Sequence, residues 1–364
     1  MPVAFLWLTK IARPREHERK KGANFRGIQD KGVNSLDTRY PMKRIALLLP
    51  YDYQLFSVAT ILDVLGTANR ICERQKKQTP FVITLVQLPE QILQHGSSFH
   101  DHPVKSIHVR VSYDIVLIPA FTLHDKAATM QKNMPYVPWL QKQFKTGAEI
   151  ASFCTGANLF AATGLLNGKL ATTHMDACPD LIVDYPSVYV KPGRTITIDE
   201  RCYTSGGATS SFHLLIFLIQ KYGGNELAVR ISKIFCIDLN RSQQSYFSTF
   251  RPDYSHNDEL VKKIQRNMEE NYLHITTVEE ITKDLPASRR NIVRRFKQAT
   301  GVPPIEYLQH IRIEKAKRQL ELSNLNISEI INETGYTDPK SFRKIFVKLV
   351  GMTASEYRNK LGIK

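Results

Sequence analysis

At 364 residues and 42% apolar composition, the chain is long enough for two or three domains with ordinary buried cores, and it is neither fibrous nor of low complexity. Its formal net charge of +16 points to an anionic partner and is concentrated at the ends: +7 over residues 1–44, +1 over residues 45–259 and +8 over residues 260–364. Five cysteines, at 72, 154, 178, 202 and 236, form no CxxC pair and no Cys/His ligand spacing, so no zinc site, disulfide framework, metal or cofactor is expected.

In chain order, Met1 to Leu8 is apolar for too few residues to cross a membrane before Lys10, Arg13 and Arg15, and no small-residue cleavage site follows it. No later window reaches about 18 uncharged apolar residues, so a cytoplasmic chain without a membrane partner is expected. Residues 1–41 are basic and aperiodic, which predicts either a disordered arm or a stretch that arises from the choice of start codon. At 45–49 the run Ile-Ala-Leu-Leu-Leu reads as a buried strand. A helix over 55–71, strands over 82–88, 115–118 and 148–153, and helices over 156–165 and 209–221 follow. Short apolar strands separated by amphipathic helices predict an α/β domain over 42–240, with a mostly parallel sheet covered on both faces. A polar stretch containing Arg251-Pro252 predicts a linker over 241–259, and residues 260–364 read as all-helical.

One segment of the α/β region carries chemistry. Over 148–159 an apolar strand runs into Cys154-Thr155-Gly156 and then a helix. This predicts a strand-to-helix elbow, with Gly156 permitting the sharp turn and Cys154 near the positive end of the helix, where a thiol pKa is lowered. A free cysteine is also among the most buried residue types, so a core role stands beside the reactive one.

The last hundred residues repeat. Ser288/Asp338, Ile292/Phe342, Phe296/Phe346, Gly301/Gly351 and Tyr307/Tyr357 are each 50 apart. Each copy predicts a short helix (278–284 and 327–334), a tight turn at Leu285-Pro286 or Gly335, and a second helix capped by Ser288 or Asp338. In these second helices Ile292, Phe296 and Ala299, and Phe342, Ile345, Phe346 and Leu349, make apolar stripes. Arg289, Arg290, Asn291, Arg294 and Lys297, and Lys340, Arg343, Lys344 and Lys348, are left facing outward. Such faces suit guanine edges and phosphates in a major groove. A solvated basic face would look the same in either helix alone, but two in register predict double-stranded DNA as partner.

Residues 260–360 resemble the DNA-binding domain of the AraC/XylS regulators through Ser288-Arg-Arg-Asn-Ile-Val-Arg-Arg-Phe296, Thr300-Gly-Val-Pro-Pro-Ile-Glu-Tyr307, Arg312-Ile-Glu-Lys-Ala316 and Phe342-Arg-Lys-Ile-Phe346. The resemblance implies a rigid connector helix over 303–322 and base reading by Arg290, Val293 and Arg294 in the first unit and Lys340, Arg343 and Lys344 in the second. Thr282 and Ile331 stand where that family usually has a small Ala, and Ala354 where Pro is common.

Residues 43–224, through the elbow, Gly164-Leu-Leu-Asn-Gly168, Ala171-Thr-Thr-His174 and Thr204-Ser-Gly-Gly207, resemble the DJ-1/PfpI branch of the class I glutamine-amidotransferase-like fold, in the GlxA-like form fused to AraC-type domains. That implies a flavodoxin-like sheet. The elbow cysteine is followed by Thr155 rather than His, and the loop after the first strand, Pro50-Tyr-Asp-Tyr-Gln-Leu55, offers no Glu. The expectation is therefore a transcription regulator whose amidotransferase-like domain is not catalytic. Its effector pocket would be formed by Cys154, Thr155, Asp52 and His174, and would bind a small, nitrogenous metabolite; a homodimer is also expected. The alternative is an amidase, hydrolase or aldehyde-modifying enzyme working through Cys154, with Asp52 or His174 as its polar partner.

Overall fold

The computed structural model describes residues 40–95, 98–99, 102–238, 250, 252–254, 256–275, 277–282 and 287–362. The expected arm over 1–41, apart from its last two residues, lies outside them. So do most of the expected linker and the Leu285-Pro286 turn.

The α/β region runs β1 (Lys43–Leu48), α1 (Leu55–Arg74), β2 (Phe81–Gln87), α2 (Pro89–His95), β3 (Ser98–Phe99), β4 (His102–Ser106), β5 (Ile115–Ile118), α3 (Lys126–Asn133), α4 (Tyr136–Lys145), β6 (Glu149–Ser152), α5 (Ala157–Ala162), β7 (Leu170–Ala171), α6 (Cys178–Asp184), β8 (Tyr189–Val190), β9 (Ile196–Asp199), β10 (Cys202–Ser205), α7 (Ser210–Gly223) and α8 (Asn225–Ile234). The main sheet has the order β3-β4-β2-β1-β5-β6-β10-β9. It is parallel from β4 to β10, with antiparallel strands β3 and β9 at its edges. Strand alternation explains why β1 is apolar from Ile45 onward, after Lys43 and Arg44 at its open end. Ile45 and Leu47 enter a core with α1, α7 and α8, whereas Ala46 and Leu48 enter a second core with α4 and α5 on the other face.

Of the described helices α1 is long and apolar enough to cross a membrane, but Val58, Ile61, Val64, Leu65 and Ala68 are buried in the first of these cores. Every strand and helix expected from periodicity is present within a few residues. Strands β3, β4 and β7 to β10 were not expected, because runs of two residues, or of four or five mixing polar and apolar side chains, carry too little apolar pattern to be read.

The C-terminal region is all-helical: α9 (Glu259–Glu270), α10 (Val278–Thr282), α11 (Arg289–Thr300), α12 (Pro304–Leu322), α13 (Ile327–Glu333), α14 (Pro339–Val350) and α15 (Ala354–Leu361). It has two small cores. Val261, Ile264, Met268, Ile281, Ile292 and Phe296 surround Tyr307, Leu308 and Ile311 from the first half of α12. Ile330, Phe342, Phe346 and Tyr357 surround Ile313, Ala316 and Leu320 from its second half. The connector helix therefore belongs to both units.

Candidate functional site

The second helix of each unit is set by local chemistry. The Ser288 hydroxyl accepts from Asn291 N–H at 3.4 Å, and the Asp338 carboxylate accepts from the N–H groups of Lys340 and Ser341 at 3.0 and 2.9 Å. Pro339 occupies the first turn of α14, where no N–H is needed. Both helices end on a left-handed glycine, Gly301 at φ 79° and Gly351 at φ 86°. The turn before α14 is made by Gly335 at φ 81°, where a Cβ would also lie 2.8 Å from Nη2 of Arg312.

Arg290, Arg294, Lys340, Arg343 and Lys344 are exposed, and Val293 is half-buried. Among the described residues none of those five cations is held in an ion pair. Arg294 donates to the Asn291 side chain at 3.2 Å. Two residues of the outward basic faces behave differently. Arg289 pairs with Glu279 of α10, and Lys348 pairs with Glu306 of α12 at 3.0 Å, because the packing of neighbouring helices brings carboxylates beside them.

Two cations that sequence patterning did not single out are built into the same units. Arg312, 8% exposed, donates to the carbonyls of Tyr272 at 2.7 and 2.8 Å and of Ile275 at 2.8 Å, and its guanidinium lies 5.3 Å from the Tyr336 ring centroid. It thus joins the chain after α9 to the turn of the second unit. Arg295 donates twice to Asp258, at 2.8 and 2.7 Å. The charge of both was legible, but their partners lie 37 to 40 residues away.

At the α/β elbow, Cys154 takes the left-handed turn itself, with φ 52°. Gly156 has ordinary helical geometry; it is glycine because a Cβ there would meet the carbonyl oxygens of Ile118 and Pro119 at 2.6 and 2.7 Å. The expectation that Gly156 supplies the turn is corrected accordingly. The expected lowering of the thiol pKa is also reversed: burial pushes Cys154 up to about 11, against smaller opposing pulls from the Thr155 N–H and hydroxyl.

The Thr155 hydroxyl donates to Phe121 O at 2.7 Å and accepts from Phe121 N–H at 3.1 Å, pinning the loop after β5. Thr122 N–H donates to Asp52 O at 2.8 Å, so the loops after β1, β5 and β6 meet. Asp52, at φ 57°, accepts from the Thr129 hydroxyl at 3.3 Å and faces Lys132 at 3.9 Å. The Thr173 hydroxyl donates to Cys154 O at 2.8 Å and so ties the end of β7 to the elbow. The neighbouring His174 ring instead accepts from Asp176 N–H at 3.2 Å. Neither Asp52 nor His174 is a hydrogen-bond partner of the Cys154 thiol. At the ends of β6 and β10 and the start of α7, the buried hydroxyls of Ser152, Ser205 and Ser210 have no hydrogen-bond partner among the described residues.

At pH 7.5 a thiol with a pKa of about 11 is ionised in fewer than about one molecule in 10³. Iodoacetamide is therefore expected to label Cys236, the exposed cysteine, within minutes and to spare Cys154 in the folded protein. Peptide mass spectrometry checks this, and early labelling of Cys154 contradicts it. Among the described residues no group of three His, Cys, Asp or Glu side chains is placed to hold a metal.

Family models match two parts of the chain: one described as the DJ-1/PfpI family over residues 43–221 and one described as a helix-turn-helix domain over residues 281–360. The HTH-type transcriptional regulator GbdR of Pseudomonas aeruginosa (strain UCBPP-PA14) is 25% identical over 86% of this chain and 83% of its own length. The HTH-type transcriptional regulator CdhR of Pseudomonas aeruginosa is 26% identical over 63% of this chain and 68% of its own. The HTH-type transcriptional regulator GlxA of Rhizobium meliloti (strain 1021) is 25% identical over 61% and 69%.

Proposed function

We propose, for a chain that belongs to the DJ-1/PfpI family over residues 43–221 and to the AraC-type helix-turn-helix regulators over residues 281–360, that it reads DNA with α11 and α14 and senses a small molecule at the Cys154 elbow. It is a DNA-binding transcription regulator. The observation that carries the assignment of the reading helices is the pair of capped, glycine-terminated helices 50 residues apart, exposing Arg290 and Arg294 on one and Lys340, Arg343 and Lys344 on the other. Exposed guanidinium and ammonium groups without an ion pair among the described residues can meet guanine O6 and N7. Val293 adds an apolar surface suited to a thymine methyl.

If Arg294 and Lys344 read base edges, each change to Ala weakens binding to a duplex selected by the protein from a random pool by about 1 to 3 kcal/mol. The same change costs less on an unrelated duplex. Equal losses on both would assign these side chains to phosphate.

The α/β domain acts as a sensor rather than an enzyme in this reading. A cysteine nucleophile needs a base within hydrogen-bond reach, and Cys154 instead sits buried with a raised pKa while Thr155, Asp52 and His174 are engaged elsewhere. The unpartnered hydroxyls of Ser152, Ser205 and Ser210 supply polar groups for a bound metabolite. Amino acids and quaternary ammonium compounds form the first panel for a thermal-shift screen, since a ligand of the folded state raises Tm. Saturable turnover of amides or dicarbonyls that is lost in Cys154→Ala would replace the sensor with an enzyme. The protein acts as a homodimer in the cytoplasm on this reading.

A further inference from the structure

We propose that Asp258 is a positioning residue for the first reading helix, holding α11 in register through its two-pronged contact with Arg295. The proposal rests on the reading of α11 as a base-reading helix.

Base readout requires a helix held to within about 0.5 Å and 10–20°. Ile292 and Phe296 set the depth of α11, and Arg289 in its first turn pairs with Glu279 of α10, but dispersion contacts have little direction and a single solvent-exposed pair constrains roll and slide weakly. Arg295 lies between the reader Arg294 and the core residue Phe296. Its Nε and Nη2 donate to the two oxygens of Asp258 at 2.8 and 2.7 Å, and this planar pairing fixes orientation as well as distance.

Asp258 is itself held from several sides. It caps α9 by accepting from Val261 N–H at 3.1 Å, and its own N–H donates to His256 Nδ1 at 3.3 Å. The other nitrogen of His256 is 2.8 Å from the side-chain oxygen of Gln265, a fully buried residue whose amide donates to Asp253 O at 3.0 Å and to the Tyr307 hydroxyl at 3.1 Å. Phe250 stacks on His310, with ring centroids 4.9 Å apart, and meets Tyr307 edge-on. The segment before α9 is thus fastened to α9 and α12 and ends on the pair that grips α11. The second unit has no such pair at the matching place: the residue 50 positions on is Ile345, packed against the apolar core. A charge at 295 is therefore not a requirement of the helix-turn-helix plan but an addition to it.

The test uses the full chain, a duplex it selects from a random pool and an unrelated duplex. Asp258→Asn keeps a capping side chain, so α9 retains its first turn. It is expected to weaken binding to the selected duplex about ten-fold, with less than two-fold change on the unrelated one and little change in Tm. Arg295→Met is expected to do the same, and the double variant to lose no more than either single one. Asp258→Glu should restore part of the loss.

A carboxylate acting only through its charge predicts the opposite sign, since its removal would tighten binding to both duplexes; that result overturns the proposal. So do equal losses on both duplexes, or additive losses in the double variant. Arg294→Ala runs alongside. If it fails to discriminate between the duplexes, the reading of α11 falls and the positioning role with it. If Arg294→Ala discriminates and Asp258→Asn does not, the positioning role alone is wrong.

Discussion

A fragment spanning residues 250–364 is expected to bind double-stranded DNA by itself, with an affinity that falls on the order of 10²- to 10³-fold between about 50 and 200 mM salt. The size of the effect follows from charge. Five exposed cations on α11 and α14 are free of ion pairs among the described residues, and each phosphate neutralised releases condensed counterions. The fragment has its own two cores, which meet along α12. It should begin at Phe250 rather than Leu260, because Phe250, Tyr254 and Asp258 make contacts with α12, α9 and α11. Residues 42–238 fall almost wholly in the stretch of near-neutral charge and are expected to retard no DNA. Gel retardation on both fragments checks this. A C-terminal fragment that is folded by circular dichroism yet inert toward DNA at low salt would contradict the regulator reading as a whole.

Arg312→Ala is expected to destabilise that fragment by about 3 to 5 kcal/mol and to abolish tight binding to the selected duplex. The guanidinium is almost fully buried, and three of its hydrogen bonds satisfy carbonyls of Tyr272 and Ile275 that would otherwise face the interior. Removing it orphans those oxygens and takes away the surface beside Gly335 and Tyr336. Arg312→Lys keeps a charge but not the fork, so it is expected to recover only a minor part of the loss. Urea unfolding measures the effect. A midpoint unchanged from wild type in Arg312→Ala would show that the two units are coupled by apolar packing along α12 and not by this contact.

The α/β order, the helix-turn-helix repeat and the N-caps of α11 and α14 were legible in the sequence, because each is written in local signals. Runs such as 45–49 and 115–118 fill both faces of a strand, and Ser288 and Asp338 can reach the next turn's N–H groups, whereas the helix-ending role of Gly301 and Gly351 was seen only in their left-handed backbone. A 50-residue period needs no structure to be seen. The tertiary structure decided what depends on partners distant in sequence. It separated the exposed Arg290, Arg294, Lys340, Arg343 and Lys344 from Arg289, Arg295 and Lys348, whose carboxylates come from α10, the α9 cap and α12. It turned Cys154 from an activated thiol into a buried one, since the desolvation that raises its pKa comes from the surrounding fold and not from the elbow's own residues. It also gave Gly156 its reason, a close approach to two carbonyls at the end of β5, nearly forty residues earlier in the chain. A side chain's type and spacing are local properties, whereas its charge partners, solvent and free space are set by elements that only folding brings beside it.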